Sequence, residues 1–143
     1  MWYLKNYDEL TKEEVVAIYK ARIKTFIVGQ DLNYQEIDDM DKKSWHLFEM
    51  NDVQEVISYL RIIPEKDKVS LGRVLIDKRY RGKGKGRALL ERAKEVCKEW
   101  FVDNVIEVHA QAQLQELYES LGFEVVSEPY DIVGIKHVTM ELY

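Results

Sequence analysis

Residues 70–90 read SLGRVLIDKRYRGKGKGRALL, and three consecutive patterns divide this stretch. The apolar run Val74-Leu75-Ile76 is typical of a β-strand. From Leu89 to Trp100, apolar residues recur at spacings of three and four, which predicts a helix. A basic, glycine-rich segment joins the two. Helix N-termini bind anions through unpaired N–H groups and the positive end of the dipole, and glycines let the backbone approach closely. The stretch therefore predicts a phosphate-binding loop.

The spacing of the glycines narrows the kind of phosphate compound that this loop would bind. A P-loop needs four residues between its glycines and then Lys-Ser/Thr, and no such run is present. The dinucleotide pattern Gly-x-Gly-x-x-Gly does not fit Gly82, Gly84 and Gly86. Arg/Gln-x-x-Gly-x-Gly/Ala does fit, with Arg81, Gly84 and Gly86, and it resembles the coenzyme A-binding motif of the GNAT superfamily of acyl-CoA N-acyltransferases. The alternative is a solvated basic turn that opens an ordinary helix.

This resemblance implies acetyl-CoA as co-substrate and a pyrophosphate held by the loop backbone. Backbone N–H groups of the preceding strand would bind the pantetheine and polarise the thioester oxygen. The contacts implied in this stretch are Val74, Leu75, Ile76, Arg81, Gly82, Lys83, Gly84, Lys85, Gly86 and Arg87. The prediction of a cofactor contact depends most directly on Gly84 and Gly86. The side chains of Lys83 and Lys85 could instead simply be solvated.

Composition limits the remaining function classes. The 143 residues predict one domain, 1–143, with 46% hydrophobic and 33% charged residues, as in ordinary globular proteins. A net charge of −5 argues against nucleic acid as a partner and suits a cationic substrate. The single cysteine, Cys97, lies on the apolar stripe of the predicted helix and indicates a reducing compartment. Apolar runs are too short for a membrane span and the N-terminus has no signal-peptide plan, so we expect a cytoplasmic protein without membrane partners.

The rest of the chain predicts an α+β fold. We expect strands at 2–6, 45–50, 55–63, 69–77, 104–110, 123–127 and 135–142, and helices from the Thr11–Glu14 capping box to near Gly29, over 86–101 and over 114–121. Residues 30–44 form a polar loop with a short helical turn. The predicted sheet has six or seven strands, mostly antiparallel, with helices on both faces and one central parallel crossover beside the loop.

A second part of the resemblance lies at residues 111–123. Tyr118-x-x-x-Gly122-Phe123 is similar to the GNAT pattern Asn-x-x-Ala-x-x-x-Tyr-x-x-x-Gly-Phe, with Gln111 in place of the asparagine. The resemblance implies that Tyr118 lies near the coenzyme A sulfur and protonates the departing thiolate, and that Gln111 contacts the cofactor. A phenol, with an ordinary pKa near 10, suits that role. The alternative for Tyr118 is an ordinary core tyrosine.

The N-terminal half extends the resemblance to almost the whole chain. Residues 26–30 (FIVGQ) and 34–41 (YQEIDDMD) are similar to the ElaA-like branch of the superfamily, which reads Phe-Val-x-Glu-Gln and Tyr-x-Glu-Ile-Asp-x-x-Asp. Gly29 stands where the branch has glutamate, and Val133 stands where it has aspartate. The GNAT fold is therefore expected for this chain.

Acyl transfer to an amine also needs a group that accepts the amine proton. Glu36, in the acidic segment, is the first candidate, and His46 and His137 follow because imidazole titrates near neutral pH. For each of these three residues the alternative is a purely structural role. A further alternative is that water molecules relay the proton and that no single side chain acts as the base. His109 is expected to face away from the apolar side chains of its strand. The three histidines lie on separate predicted elements, so no metal site is expected.

The sequence therefore predicts an N-acetyltransferase that moves an acetyl group directly from coenzyme A to the primary amine of a small molecule or peptide. One alternative is an autoinducer synthase of the acyl-homoserine-lactone type, because Arg22-x-x-x-Phe26 and Glu36-x-Asp38-x-x-Asp41 resemble motifs of that family. The other is a coenzyme A-binding sensor that has lost transfer. The acceptor is not readable from the sequence, and a homodimer is left open.

Overall fold

The computed structural model describes residues 1–32 and 34–143. Asn33, which belongs to the predicted polar loop, lies outside the described residues. The strands are β1 Trp2–Asn6, β2 Trp45–Met50, β3 Val56–Pro64, β4 Lys68–Ile76, β5 Val105–Gln111, β6 Glu124–Val125, β7 Tyr130–Ile132 and β8 Ile135–Leu142. The helices are α1 Lys12–Arg22, α2 Lys85–Trp100 and α3 Gln115–Ser120. A π-helical turn, Ile23–Val28, extends α1 to Gly29, and a 3-10 turn spans Asp39–Lys43.

The sheet has the order β1-β2-β3-β4-β5-β8-β6, with β7 paired to β8. Strands β2, β3 and β4 form the predicted antiparallel meander, and β4 and β5 are the predicted parallel pair, connected by α2. The fold class is thus confirmed, with one strand more than predicted. The additional strand, β7, is three residues long and reaches β8 through Val133 and Gly134, which both have positive φ (50° and 79°). A two-residue hairpin turn requires this backbone, but valine at such a position gives no turn signal.

The sheet opens in its middle because β4 and β5 pair over only part of their length. Pairing runs from Lys68–Val105 to Leu71–Val108 and does not continue beyond. On its other edge β4 contains a bulge, since Arg61 lies opposite Gly72 while Tyr59 lies opposite Leu75. The extra residue bends the strand, and Arg73 there has a left-handed backbone (φ 53°). We call the opening between residues 72–76 and 109–111 the fork.

Two apolar clusters cover the two faces of the sheet. On one face, which we call the α2/α3 face, Leu89, Ala93 and Cys97 of α2 pack with Val108 of β5 and Tyr118 of α3. On the other, the α1 face, Ile18 and Phe26 pack against Phe48, Tyr59 and Leu75. Helices therefore lie on both faces, as predicted. Burial raises the pKa of the Cys97 thiol to about 12, so this cysteine is a neutral core residue.

Local signals account for where the helices begin and end. The Thr11 hydroxyl accepts from the N–H of Glu14 (3.1 Å), and the Glu14 carboxylate accepts from the N–H of Thr11 (2.9 Å), which is the predicted capping box. At the other end of the chain, Gly122 (φ 101°) stops α3, where the N–H of Phe123 donates to the carbonyl of Tyr118 (3.1 Å). Within residues 1–32 and 34–143, no helix has the length and apolar character that crossing a membrane requires.

Candidate active site

The glycine-rich loop leaves the N-terminus of α2 open to a ligand. Gly84 precedes the helix with a left-handed backbone (φ 75°), and no side chain caps the first turn. The first intrahelical bond is from the N–H of Ala88 to the carbonyl of Gly84 (3.1 Å), which leaves the N–H groups of residues 85–87 without helical acceptors. A Cβ at Gly82 or Gly84 would meet nothing within 4 Å. This uncapped, uncrowded helix start fits a pyrophosphate.

Gly86 is different, because it lies where α2 touches its neighbours. A Cβ there would come within 3.8 Å of Leu117 on α3 and 3.9 Å of Ile76 on β4. Those are ordinary contact distances, so Gly86 lies at the junction of helix, strand and loop. A bulky side chain at this position would separate the three elements that form the loop's surroundings.

The basic side chains of the loop have protein partners. Arg81 Nε donates to the carbonyl of Ile76 (3.1 Å), and Arg87 donates to the hydroxyl of Ser120 (2.8 Å). Lys85 forms an ion pair with Glu49 on β2 (3.1 Å). Lys83 Nζ lies 5.7 Å from the ring centroid of Tyr80. The anion-binding potential of the loop therefore resides mainly in its backbone.

The fork lies beside this loop. Val74, Leu75 and Ile76 form its β4 side, and their backbone has no ladder partner on β5. Gln111, at the end of β5, forms the opposite side, and its amide oxygen accepts from the side chain of Gln113 (3.1 Å). Extended backbone with one unpaired edge can bind an extended amide chain such as pantetheine by strand-like hydrogen bonds.

Tyr118 lies on the α2/α3 face, in the apolar cluster that also contains Ala110 of β5. Only 3% of the residue is exposed, and its ring meets Phe123 edge to face, with centroids 5.5 Å apart. Burial raises the pKa of the Tyr118 phenol well above its ordinary value, so it is protonated at neutral pH. A protonated phenol in an apolar setting has the form that a thiolate-protonating acid needs.

Glu36 lies at the centre of an ionic cluster on the α1 face. Its Oε2 accepts from Arg22 Nε (2.8 Å) and from Arg73 Nε (2.8 Å), and its Oε1 accepts from the Tyr34 hydroxyl (2.7 Å). The residue is 2% exposed. Two guanidinium groups and a phenol thus occupy the carboxylate, which favours a structural role over that of a base.

The ionic cluster consists of Arg22, Glu36, Asp38, Asp41, Arg61 and Arg73. Asp41 accepts from Arg22 (2.6 Å) and Arg61 (3.0 Å). Burial alone would raise the pKa of Asp41, but the hydrogen bonds and charges of these arginines outweigh burial and hold it below the ordinary value. Asp38 accepts from Arg61 (2.7 Å), which together with the positive charge of Arg73 lowers its pKa. The cluster anchors residues 34–41 to the β4 bulge.

His46 is enclosed below this cluster. Its Nε2 lies 2.9 Å from the carbonyl of Asp41, which can only accept, so Nε2 carries the proton. Its Nδ1 therefore accepts from the Tyr59 hydroxyl (2.7 Å). Burial lowers the pKa of His46 below its ordinary value. Both ring nitrogens are engaged, and the neutral ring has the geometry of a structural histidine.

His137 has one open nitrogen. Its Nδ1 donates to the carbonyl of Ile135 (2.7 Å), which leaves the lone pair on Nε2. In the β5–β8 register His137 lies opposite Gln111, at the end of the fork. Among the three predicted base candidates, it is the one with an imidazole nitrogen that is not committed to a described residue.

A polar group that sequence reasoning missed lies beside His137 on the same face. The Tyr130 hydroxyl of β7 is 2.7 Å from His109 Nδ1 and 2.8 Å from the Thr139 hydroxyl. The prediction lacked Tyr130 because it lacked β7. The available signal was the orientation of His109, which alternates with buried Val108 and therefore faces away from α2.

The open N-terminus of α2 offers backbone N–H groups to a phosphate, and the fork between two parallel strands beside it offers an unpaired strand edge to an extended amide chain. Residues 7–143 match the family described as "Acetyltransferase (GNAT) domain". The chain therefore belongs to the GNAT acetyltransferase family and is an acyltransferase that uses acyl-CoA. Within that family it is similar to Escherichia coli ElaA, with 32% identity over 144 residues, covering 97% of this chain and 94% of ElaA.

Solved structures agree with this assignment. The crystal structure of E. coli ElaA superimposes with a TM-score of 0.95 at 30% identity, covering 100% of this chain and 99% of that one. An acyl-CoA N-acyltransferase from Pseudomonas aeruginosa gives 0.94 at 31% identity, with coverage of 100% and 99%. The AHL synthase LasI gives 0.75 at 17% identity, covering 99% of this chain and 88% of LasI, and shares the fold alone.

Proposed function

We propose that this protein is an acetyl-CoA-dependent N-acetyltransferase that acetylates the primary amine of a small molecule or peptide by direct transfer. The observation that carries the proposal is the uncapped, glycine-lined start of α2 beside the fork between β4 and β5. The loop backbone at Gly82–Arg87 would hold the pyrophosphate. The unpaired edge at Val74–Ile76 would hold the pantetheine amides and orient the thioester.

Acetyl-CoA supplies an acyl group activated as a thioester, and the side chains around the fork handle the protons. Tyr118, on the α2/α3 face, gives its hydroxyl proton to the departing thiolate. On the α1 face, His137 has the open Nε2 that a base requires, whereas Glu36 and His46 are engaged by other groups. The group that accepts the amine proton and the group that protonates the thiolate thus lie on opposite faces of the sheet.

Direct transfer is favoured over an acyl-enzyme intermediate because Cys97 is buried and protonated, and so is a poor nucleophile. Cys97 is buried on α2, and its pKa of about 12 leaves almost no thiolate at neutral pH. An acyl-cysteine would need that thiolate. The amine itself is therefore the nucleophile that attacks the thioester.

The autoinducer synthase is the second candidate. It is favoured by the ionic cluster, because Arg22, Glu36, Asp38 and Asp41, which suggested that family, are joined by hydrogen bonds into one structural unit. An acyl-carrier-protein thioester offered in place of acetyl-CoA distinguishes the two. Transfer from the carrier thioester alone would favour the synthase.

Calorimetry with acetyl-CoA tests the binding site. Replacing Gly84 and Gly86 together by valine should abolish binding, because one position needs a left-handed backbone and the other lies at a three-element contact. Lys83→Ala is the matched control, since it keeps the loop backbone and should retain most of the affinity. Unchanged affinity in a folded double variant would contradict the proposal.

A thiol-release assay with acetyl-CoA and phenethylamine, spermidine and a peptide with a free α-amino group tests the reaction. The proposal expects amine-dependent release of coenzyme A with at least one amine. Tight acetyl-CoA binding without release for any amine would instead favour a coenzyme A-binding sensor.

A further inference from the structure

Hydrogen bonds and one close carboxylate–imidazole contact connect four strands on the α1 face. The Tyr130 hydroxyl of β7 is 2.7 Å from His109 Nδ1 on β5, and His109 Nε2 is 3.3 Å from the Glu107 carboxylate on the same strand. The Thr139 hydroxyl of β8 lies 2.8 Å from the Tyr130 hydroxyl. Glu107 is itself held by Lys68 of β4, at 3.0 Å to each oxygen. These contacts do not include the other candidate bases.

The carboxylate determines how the protons are distributed along this chain. Glu107 can only accept, so His109 must carry its proton on Nε2 for that contact to be favourable. Nδ1 then has the lone pair and accepts from the Tyr130 hydroxyl. The Thr139 hydroxyl, in turn, donates to the Tyr130 oxygen. The three groups thus follow each other in the order carboxylate, imidazole, hydroxyl. In this order a carboxylate can orient a histidine, and the histidine can accept a proton from the hydroxyl.

The position of His109 places this chain at the fork. Val108 is the last residue of β5 that pairs with β4, so His109 is the first residue beyond it. Its neighbours Val108 and Ala110 are buried on the α2/α3 face, and His109 therefore points to the α1 face. Its side chain is 52% exposed, so the ring can return a proton to solvent. The Tyr130 ring lies between His109 and His137, with both centroids at 6.3 Å.

We propose that Tyr130 and His109 form a proton relay that takes up the proton of the acceptor amine, with Glu107 as the positioning residue. This inference rests on the proposed N-acetyltransferase function. It assigns the acceptor proton to Tyr130 and His109 instead of to the open Nε2 of His137, and leaves the rest of that function unchanged. Tyr130 belongs to β7, so the face of the β7–β8 hairpin that carries its side chain becomes part of the acceptor site, whereas the side chain of Asp131, the next residue of the strand, points to the other face.

The reaction balances with these groups. The amine nitrogen forms a bond to the thioester carbon, and the carbon–sulfur bond breaks. An ammonium acceptor loses two protons in total. One passes to the Tyr130 oxygen while the Tyr130 proton moves to His109 Nδ1, and the resulting imidazolium, held by Glu107, releases a proton to water. The other proton replaces the one that Tyr118 gives to the thiolate sulfur.

Steady-state kinetics with the amine that wild type acetylates fastest, among phenethylamine, spermidine and the free-α-amino peptide, test the relay. His109→Gln and Tyr130→Phe should each lower kcat about 100-fold, the lower end of the usual general-base contribution, with the KM for acetyl-CoA within about 2-fold. Asp131→Asn is the matched control, because this exposed neighbour lies on the same hairpin and should leave kcat unchanged. Glu107→Gln retains an acceptor oxygen and should cause a smaller loss of kcat than His109→Gln.

Three results would overturn the relay. Wild-type kcat in either His109→Gln or Tyr130→Phe would do so, as would a loss of kcat confined to His137→Gln, which would place the base there. If wild type acetylates none of the three amines, the proposed function fails and the relay fails with it. An active wild type with active relay variants refutes the relay alone.

The proton positions give a test that needs no acceptor. Nitrogen NMR of the wild-type protein should show His109 with its proton on Nε2 and an Nδ1 that accepts a hydrogen bond. Tyr130→Phe should shift the Nδ1 resonance, and Asp131→Asn should not. A His109 ring with its proton on Nδ1 would overturn the assigned direction of the relay.

Discussion

At the residue scale, both carboxylate oxygens of the buried Glu36 already accept hydrogen bonds from protein side chains. Arg22 and Arg73 both donate to one carboxylate oxygen and Tyr34 donates to the other. Removing one member of a buried ion cluster leaves the remaining charges without partners, which costs more than the intact pair contributes. Glu36 therefore has more effect on the free energy of unfolding than on the chemical step.

Glu36→Gln should accordingly lower the free energy of unfolding by about 3 kcal/mol or more, because the buried guanidinium of Arg22 and the partly buried guanidinium of Arg73 lose their shared carboxylate charge. Urea unfolding measures this change. Glu55→Gln is the control, since Glu55 pairs with Arg79 at an exposed site and should change stability little. Lost turnover with unchanged stability in Glu36→Gln would instead identify Glu36 as the base.

The environment of Tyr118 also predicts the effect of a substitution on catalysis. Tyr118→Phe keeps the ring that packs against Phe123 and removes only the acidic proton. We expect kcat to fall about 10²-fold or more, the usual range for a general acid, while the calorimetric affinity for acetyl-CoA stays within a factor of about two. Wild-type turnover in this variant would exclude Tyr118 as the acid.

At the element scale, the fork depends on the bulge in β4 as much as on the end of the β4–β5 pairing. Arg73 has a left-handed backbone, which non-glycine residues adopt at a cost. Its guanidinium donates to Glu36 and Asp38. The ionic cluster therefore stabilises the strained residue that bends β4 at the fork, and so links the acidic segment to the cofactor side.

Gly122, which ends α3, allows a prediction about the stability of this element. Gly122→Ala places a side chain at φ 101°, and its Cβ would come within 3.2 Å of Leu142. A left-handed non-glycine residue costs about 1–2 kcal/mol, so we expect thermal unfolding to show at least that loss. Gly82→Ala is the control: its φ is also positive, but its Cβ would meet nothing within 4 Å. An equal loss in the two variants would show that the Leu142 contact is unimportant.

At the scale of the whole molecule, buried titratable groups tie stability to pH. The pKa values of Asp38 and Asp41 lie below their ordinary values because of the arginines, and the pKa of His46 lies below its ordinary value because of burial. In each case the unfolded chain binds the proton more readily than the folded one. Unfolding therefore takes up protons, and acid favours the unfolded chain.

The free energy of unfolding should fall as pH falls, first below about pH 6.5, where an unfolded histidine is protonated, and again below about pH 4 for the carboxyl groups. Urea unfolding at pH 8, 6, 5 and 4 measures this profile. His46→Gln should remove much of the first decrease and keep the second. Stability that rises between pH 7 and pH 5 would contradict the assignment.

Much of the architecture was predictable because it depends on residues close in sequence. The Thr11–Glu14 box, the Gly84 turn before α2 and the Gly122 stop after α3 each involve contacts over at most five residues. Periodicity then indicated the strands, and a strand–helix–strand unit with a crossover favours parallel pairing. The α+β architecture and the position of the glycine-rich loop followed from these local patterns, whereas the GNAT fold was expected from the resemblance of the motifs.

The proton-handling groups were not predictable in the same way. Glu36 was predicted as the first base, but its state depends on Arg73, 37 residues further along the chain. Tyr130 meets His109 across 21 residues, through a strand whose turn begins with valine. Such distant partners decide whether a carboxylate or an imidazole already has hydrogen-bond partners or is available to accept a proton. No local sequence pattern specifies these partners.

The sequence by itself thus determined the order of the helices and of every strand except β7, the parallel crossover and the position of the loop, because hydrogen bonds and apolar periodicity within short segments specify them. Only the tertiary structure decided that Glu36 and His46 are enclosed, that β4 bends at Arg73 and that His109 and His137 share a face with Tyr130. Burial and charge pairing depend on the packing of segments far apart in the chain, and these two quantities decide which groups are open to take part in chemistry.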